Sequence, residues 1–296
     1  RVKFVNGVDF LSLYPDGTVI FQEIDEFYTD GVLLDNSMRE LDQFYTNNDV
    51  AKQLYDVVAS KFDIAHYDWV LEPSAGTGAF YDCLPDNNRI GIDLEPKGEE
   101  IEKMDFFNYA FPSGRGLVIG NPPFGQNASL ALKFFSRASM YAEVIAFVLP
   151  RTFRKKSMTN RMNLQFSLIY EEELPANSFI FKDKKYDVPC VFQIWSKSEN
   201  LRRKLIKKTT HKSFEIVKSK KSADFAFQRV GAAAGKIKTE FEHCSPQSHY
   251  FIKANSDDVL ENMRTINFDE IKHNTAGNPS IGLSELVELY SEIVPD

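Results

Sequence analysis

Cysteine is scarce in this chain. Cys83, Cys190 and Cys244 are the only three in 296 residues, spaced too widely for a CxxC metal pair or a disulfide framework, so a reducing interior is the expected compartment. Long apolar runs are missing too. Val144 to Pro150 and Val188 to Ile194 fall far below the roughly 20 residues that cross a bilayer, so a soluble protein without a membrane partner is expected. The chain opens at Arg1 with no initiator Met and no apolar leader, so no signal peptide is visible and the expected location is cytoplasmic, not secreted. No P-loop, Ser/His/Asp arrangement or nuclease-like carboxylate cluster stands out. His243, Cys244 and His249 lack the second ligand pair of a zinc site, so no metal is expected.

Basic charge is also in deficit when the chain is taken whole: 35 Lys plus Arg stand against 42 Asp plus Glu, a net −7. By region the balance changes. Residues 1–150 carry 11 basic and 23 acidic side chains, 151–238 carry 21 and 8, and 239–296 carry 3 and 11. A basic middle between acidic flanks suits a protein that meets a polyanion with one face. Within it, Lys197 to Lys221 holds ten Lys or Arg and two acids, and PRTFRKK at Pro150 to Lys156 is basic as well. Phosphate contact is favoured over a merely solvated helix face for this stretch.

What is present in quantity is core material, 43% apolar and 13% aromatic residues, enough for one large domain or two small ones. From Asn47, apolar residues at Val50, Leu54, Val57 and Val58 predict an amphipathic helix, with Asn47, Asn48 and Asp49 as alternative caps. Four short apolar runs follow: Trp69 to Leu71, Arg89 to Leu94, Gly116 to Ile119 and Val144 to Leu149. Turn residues bound each run, and helix-compatible stretches such as Asn127 to Tyr141 lie between them. Strands buried on both faces read this way, so the fold class is α/β with a mostly parallel sheet and functional residues at the strands' carboxyl ends. Phe166 to Glu172 and Val188 to Trp195 flank the Lys-rich FKDKKYD and predict a long antiparallel hairpin. One amphipathic helix, Leu283 to Ile293, ends an otherwise loop-rich tail.

Three constellations carry chemistry. EPSAGTGAF, Glu72 to Phe80, follows the first strand. Gly76 and Gly78 allow a tight turn and a close backbone approach to a ligand, with the N–H groups of a following helix available. As a dinucleotide fingerprint it is incomplete, because Tyr81 stands where a third small residue belongs. Glu72 is placed to accept hydrogen bonds from an ammonium. Asp93, closing the second strand, suits both ribose hydroxyls of an adenosine-containing cofactor, and Asp105-Phe106 suits an adenine amine and ring, after the acidic, helix-like GEEIEKM. The third is Asn121-Pro122-Pro123-Phe124. Two prolines remove two N–H groups and fix φ, leaving a carbonyl beside the Asn amide oxygen as a pair of acceptors for a planar NH2, with an aromatic to stack on its ring. Such a pair aims the amine's lone pair at an electrophile by positioning alone.

On these motifs the chain resembles the class I S-adenosylmethionine-dependent amino-methyltransferases, and among them the N6-adenine DNA methyltransferases, over residues 43–196. The resemblance implies a Rossmann-like methyltransferase sheet with an N-terminal extension, 1–42, and a small basic recognition region, 197–296. It implies that QFYT at Gln43 to Thr46 caps the methionine end of the cofactor, bringing Phe44, Tyr45 and Thr46 to Glu72, Ser74, Gly76, Gly78, Asp93, Asp105 and Phe106. Asn121, Pro122, Pro123 and Phe124 would hold the adenine amine. Phe179 or Phe181 would face a flipped base, and Lys182, Lys184, Lys185 and Arg151 would contact nucleic acid. The expected partner is double-stranded DNA, in a restriction-modification setting, with a partner subunit aiding site recognition. RNA adenine, DNA cytosine-N4 and a catalytically idle binding subunit are the alternatives.

Overall fold

The structure, a computed structural model, describes residues 44–296 apart from 182, 183 and 276; the expected extension 1–42 lies outside the described residues. Three strands supply the centre of the fold, β2 (Trp69–Glu72), β5 (Gly116–Gly120) and β6 (Val144–Pro150), and every residue in them is buried. A strand covered on both faces has no reason to alternate polar and apolar residues. β3 (Arg89–Asp93) and the short β4 (Glu102–Lys103) extend the parallel sheet beyond β2, while β5 and β6 extend it on the other side. β7 (Phe166–Glu173) and β10 (Cys190–Lys197) form the expected antiparallel hairpin, with β10 against β6 from Cys190↔Pro150 to Ser196↔Val144. The order β4-β3-β2-β5-β6-β10-β7 is that of a mostly parallel, Rossmann-like α/β sheet with an antiparallel hairpin at one edge, as expected. Between β7 and β10 the chain makes a small hairpin, β8 (Phe179–Phe181) and β9 (Lys184–Tyr186), which pairs with β1 (Tyr45–Thr46).

Alternate residues of each strand enter separate cores. Trp69, Leu71, Val118, Ile145, Phe147 and Leu149 belong to one cluster, and Val70, Leu117, Ile119, Val144, Ala146 and Val148 to the other. Helix α1 (Asn48–Lys61) covers the second through Val50, Ala51, Leu54 and Val58, and of its three candidate caps Asn47 is the one used, accepting from Asp49 N–H at 2.9 Å. Helix α2 (Ser129–Ala138) covers the first, setting Phe135 edge-on to Phe166 and Trp195. Each such buried aromatic or aliphatic side chain stabilises the fold by roughly 1.5–3 kcal/mol. Among the described residues no helix is long and apolar enough to cross a membrane.

Several elements depart from expectation. The helix expected over 127–141 starts only at Ser129, because Asn127 and Ala128 take positive φ of 52° and 60°. After EPSAGTGAF there is a single 3-10 turn, Tyr81–Cys83, and no long helix. GEEIEKM is not helical: Ile101 is its one buried anchor, and Glu102 and Lys103 pair with β3 as an edge strand. The basic stretch is not a helix face either, since 198–210 is extended and irregular. A short helix α3 (Lys156–Thr159) follows β6.

The tail holds more than its loop-rich composition suggested. β11 (Phe214–Val217), β12 (Phe225–Gln228), β13 (Ile237–Lys238) and β14 (His249–Ala254) form an antiparallel sheet in the order β11-β14-β12-β13. Helices α4 (Val259–Arg264), α5 (Asp269–Lys272) and α6 (Leu283–Ile293) accompany it, and α6 has the expected bounds. Phe214, Phe225, Phe227, Ile252, Leu286 and Tyr290 share its core.

Gly116 begins β5 because nothing larger fits: a Cβ there would lie 1.9 Å from the Trp69 ring. Gly116→Ala is therefore expected to lower unfolding stability by about 1–3 kcal/mol, measured by urea denaturation; an unchanged midpoint would contradict this packing.

Candidate active site

Strand order reverses between β2 and β5, the position where a doubly wound sheet opens a crevice at its carboxyl ends. Glu72 ends β2 on one side of that crevice and Asn121 follows β5 on the other. Both line a small cavity with Phe44, Tyr45, Thr46 and Ser74. Six residues expected at the site from separate stretches of sequence thus meet in space.

The orientation of Asn121 is fixed by its partner. Its Nδ2 donates to the Phe44 carbonyl at 3.0 Å; a carbonyl can only accept, so the amide cannot sit the other way round. That leaves Asn121 Oδ1 buried with no hydrogen-bond donor among the described residues. An open buried acceptor costs roughly 1–3 kcal/mol, a cost a ligand N–H would relieve. The backbone carbonyl of Asn121 accepts from Ser74 Oγ at 3.1 Å. The Pro122 carbonyl accepts from no described residue. Pro123 is half-buried, as is Phe124, which packs on both core clusters.

On the side expected to hold a cofactor, Gly76 and Gly78 have φ of +51° and +90°, the left-handed region that disfavours other residues. The Tyr45 ring lies so close to Gly76 that a Cβ there would be 2.7 Å from it. Gly76 N–H donates to Asp93 Oδ2 at 2.8 Å, and Glu95 N–H to Asp93 Oδ1 at 2.7 Å, which locks the Asp93 carboxylate against the glycine loop. Thr46 Oγ1, like Asn121 Oδ1, is buried without a hydrogen-bond partner among the described residues. The backbone amide expected for a ligand at the start of the next turn is already taken: Tyr81 N–H donates to Glu72 Oε2 at 2.7 Å. Glu72 is 2% exposed, and burial pushes its carboxyl well above the ordinary value, against the pull of the Tyr81 and Phe80 amides.

Other expected residues sit elsewhere. Asp105 caps the turn Phe106–Asn108, accepting from Phe107 N–H at 2.9 Å and Asn108 Nδ2 at 3.1 Å. The Phe106 ring is a core ring, stacked on Phe134 at 4.8 Å, so it presents no face to an adenine. Phe179 is fully buried, edge-on to Phe44, and does not face a base; its neighbour in strand pairing is Thr46. Lys182 and the side chain of Phe181 lie outside the described residues. Lys184 and Lys185 are exposed on β9.

The basic PRTFRKK is largely neutralised. Arg151 pairs with Glu173 at 2.7 Å, and Arg154 with Glu171 and Glu173 at 2.8 and 2.6 Å. Lys155 binds Glu285 and the Ser280 carbonyl, both at 3.0 Å, and Lys156 pairs with Glu288. Arg151 is therefore a strut between β6 and β7, not an open phosphate contact. The run Glu171-Glu172-Glu173 was the available signal, one hairpin away in sequence.

No family model matches the chain. Protein ENHANCED DOWNY MILDEW 2 of Arabidopsis thaliana is 29% identical over 177 residues, 52% of this chain and 13% of that protein, so the chain spans only a small part of that relative. Among solved structures, a Pyrococcus horikoshii protein provisionally described as an RNA methyltransferase shares 20% identity at a TM-score of 0.41, covering 54% of this chain and 90% of that one. The Escherichia coli protein YhhF, provisionally described as a methyltransferase, shares 14% at 0.34, covering 52% and 89%.

Because the folded protein holds the Glu72 proton more tightly than the unfolded chain does, stability falls as pH rises from about 4.5 toward the raised value. Glu72→Gln is expected to flatten that decline, read from urea unfolding across pH 4 to 8 (an approximate window set by the ordinary carboxyl value); parallel curves for the two proteins would refute it.

Proposed function

We propose that the chain transfers a methyl group from S-adenosylmethionine to the exocyclic N6 amine of adenine in nucleic acid, DNA in the first instance. The observation that carries the reading is the open acceptor pair at the switch point, Asn121 Oδ1 with its orientation fixed by Phe44, and the Pro122 carbonyl after it. A planar amine has two N–H donors, and two acceptors that bind both hold its plane and direct its lone pair. The half-buried Phe124 supplies a ring for the base bearing that amine. Such a site needs no strong base; its contribution is orientation and complementary charge. An adenine inside a duplex hides this amine, so it must leave the stack to reach Asn121.

The residues beside the pair fit the donor in chemistry. Glu72 offers a buried carboxyl to an ammonium, Thr46 an unpartnered hydroxyl, Asp93 a carboxylate for ribose hydroxyls, and Gly76 and Gly78 a backbone open to close approach. When bound, S-adenosylmethionine supplies an electrophilic methyl carbon on sulfur. Glu72 would ionise against the ammonium, and Asn121 Oδ1 and the Pro122 carbonyl would accept hydrogen bonds from the amine's two N–H groups.

Incubation with labelled S-adenosylmethionine and DNA, RNA or protein, followed by identification of the product, tests the reading. N6-methyladenine is expected, and DNA against RNA is decided by which polymer carries it. Methylated cytosine N4 or glutamine would overturn the substrate, since both amines fit the same acceptors, and absence of cofactor binding by calorimetry would favour an idle subunit. Asn121→Ala is expected to lower kcat by roughly 10²-fold or more with cofactor affinity little changed.

A further inference from the structure

The ion pairs that neutralise Arg151, Arg154, Lys155 and Lys156 leave the question of which cations a polyanion meets. The segment leaving β10 supplies an answer. Ser198 N–H donates to the Gln165 carbonyl and Arg202 N–H to that of Leu164. Leu205 is clamped by Asn160 through two bonds, N–H to Oδ1 at 2.7 Å and Nδ2 to the carbonyl at 2.8 Å. Rising residue numbers on one side thus meet falling numbers on the other, so the strap runs antiparallel to 160–165. That stretch is a run of turns between α3 and the start of β7 at Phe166, and the strap lies along it.

Arg202 pins the strap, donating to the carbonyls of Phe166, Thr159 and Met162, with its guanidinium over the Trp195 ring at 5.6 Å. Beyond this pin the side chains point outward. Arg203, Lys204 and Lys207 are exposed and make no ion pair or hydrogen bond with any described residue; Lys208, also exposed, lies near Asp296, whose carboxyl is held below its ordinary value first by the Lys212 backbone amide and also by Lys208. Between them Ile206 is 81% exposed. Arg203 and Lys204 lie between residues whose backbones are held by hydrogen bonds, Arg202 and Leu205, and Lys207 follows two residues after the second, so the first two charges are presented with less ordering entropy to lose than those of a loose tail.

We propose that this strap is the backbone-binding track for the nucleic-acid substrate, with Arg203, Lys204 and Lys207 as its phosphate contacts and PRTFRKK as an internal latch. The choice of nucleic acid over an anionic membrane rests on the proposed adenine chemistry. Each phosphate neutralised releases counterions and adds about 0.9 to the slope of log K against log salt on duplex DNA, or about 0.7 on a single strand.

The test is fluorescence anisotropy of a labelled oligonucleotide across a salt series, with the full chain and no cofactor. Arg203→Ala/Lys204→Ala/Lys207→Ala is expected to weaken binding and reduce the slope by about 2 to 3, while Arg203→Lys/Lys204→Arg/Lys207→Arg keeps it; all three side chains are exposed, and matching thermal melts verify the fold. A slope unchanged by the alanine variant overturns the proposal. So does binding to phosphatidylserine vesicles that the alanine variant loses while oligonucleotide binding persists. Because no turnover is read, binding by the strap without methyl transfer would sink the proposed activity alone, and transfer with an unchanged slope would sink the strap alone.

Discussion

The reversal of strand order between β2 and β5 is the constraint on which the site depends. Once β2 is flanked by β3 and β4 on one side and β5 and β6 on the other, the loops at the carboxyl ends of β2 and β5 must part, and no side chain from the sheet fills the gap. Full burial of those strands permits no polar residue along their length, so polar groups gather at their ends. Glu72, Asp93 and Asn121 occupy that edge because it is where a buried parallel strand first reaches space that can take a hydrogen-bonding side chain.

One short strand then joins the two halves of the site. Phe44 turns the Asn121 amide, Tyr45 lies over Gly76, and Thr46 adds to the same cavity a second acceptor without a partner among the described residues. β1 in turn pairs with β8 of the Lys-bearing hairpin. The groups proposed to hold the cofactor, those proposed to hold the amine and an exposed basic arm are thus connected through three residues of backbone.

Charge is arranged on the same logic. The net −7 conceals a basic middle, and the fold splits that middle into cations spent internally and cations left outward. Arg151 and Arg154 bind the carboxylates of β7, and Lys155 and Lys156 bind those of α6. Half-exposed pairs of this kind contribute little each, yet together they fix the C-terminal sheet beside the end of β6. The outward set lies on the strap and on β9.

The sequence by itself determined the central strands, the first helix, the β7–β10 hairpin, α6 and the clustering of Asn121 with the glycine loop, because burial on both faces, 3.6-residue periodicity and turn chemistry are local properties of the chain. It overextended the helix after NPPF, since Asn127 and Ala128 give no composition signal of their positive φ, and it missed β11 to β14, whose short strands are defined only by one another. Tertiary structure alone decided which way the Asn121 amide points, that Phe106 and Phe179 face the core, and which lysines and arginines are already paired. Those outcomes depend on partners such as Phe44, Phe134, Glu173 and Glu285, from 22 to 130 residues away in sequence, and a hydrogen bond or ion pair is set by distance in space, which residue spacing does not encode.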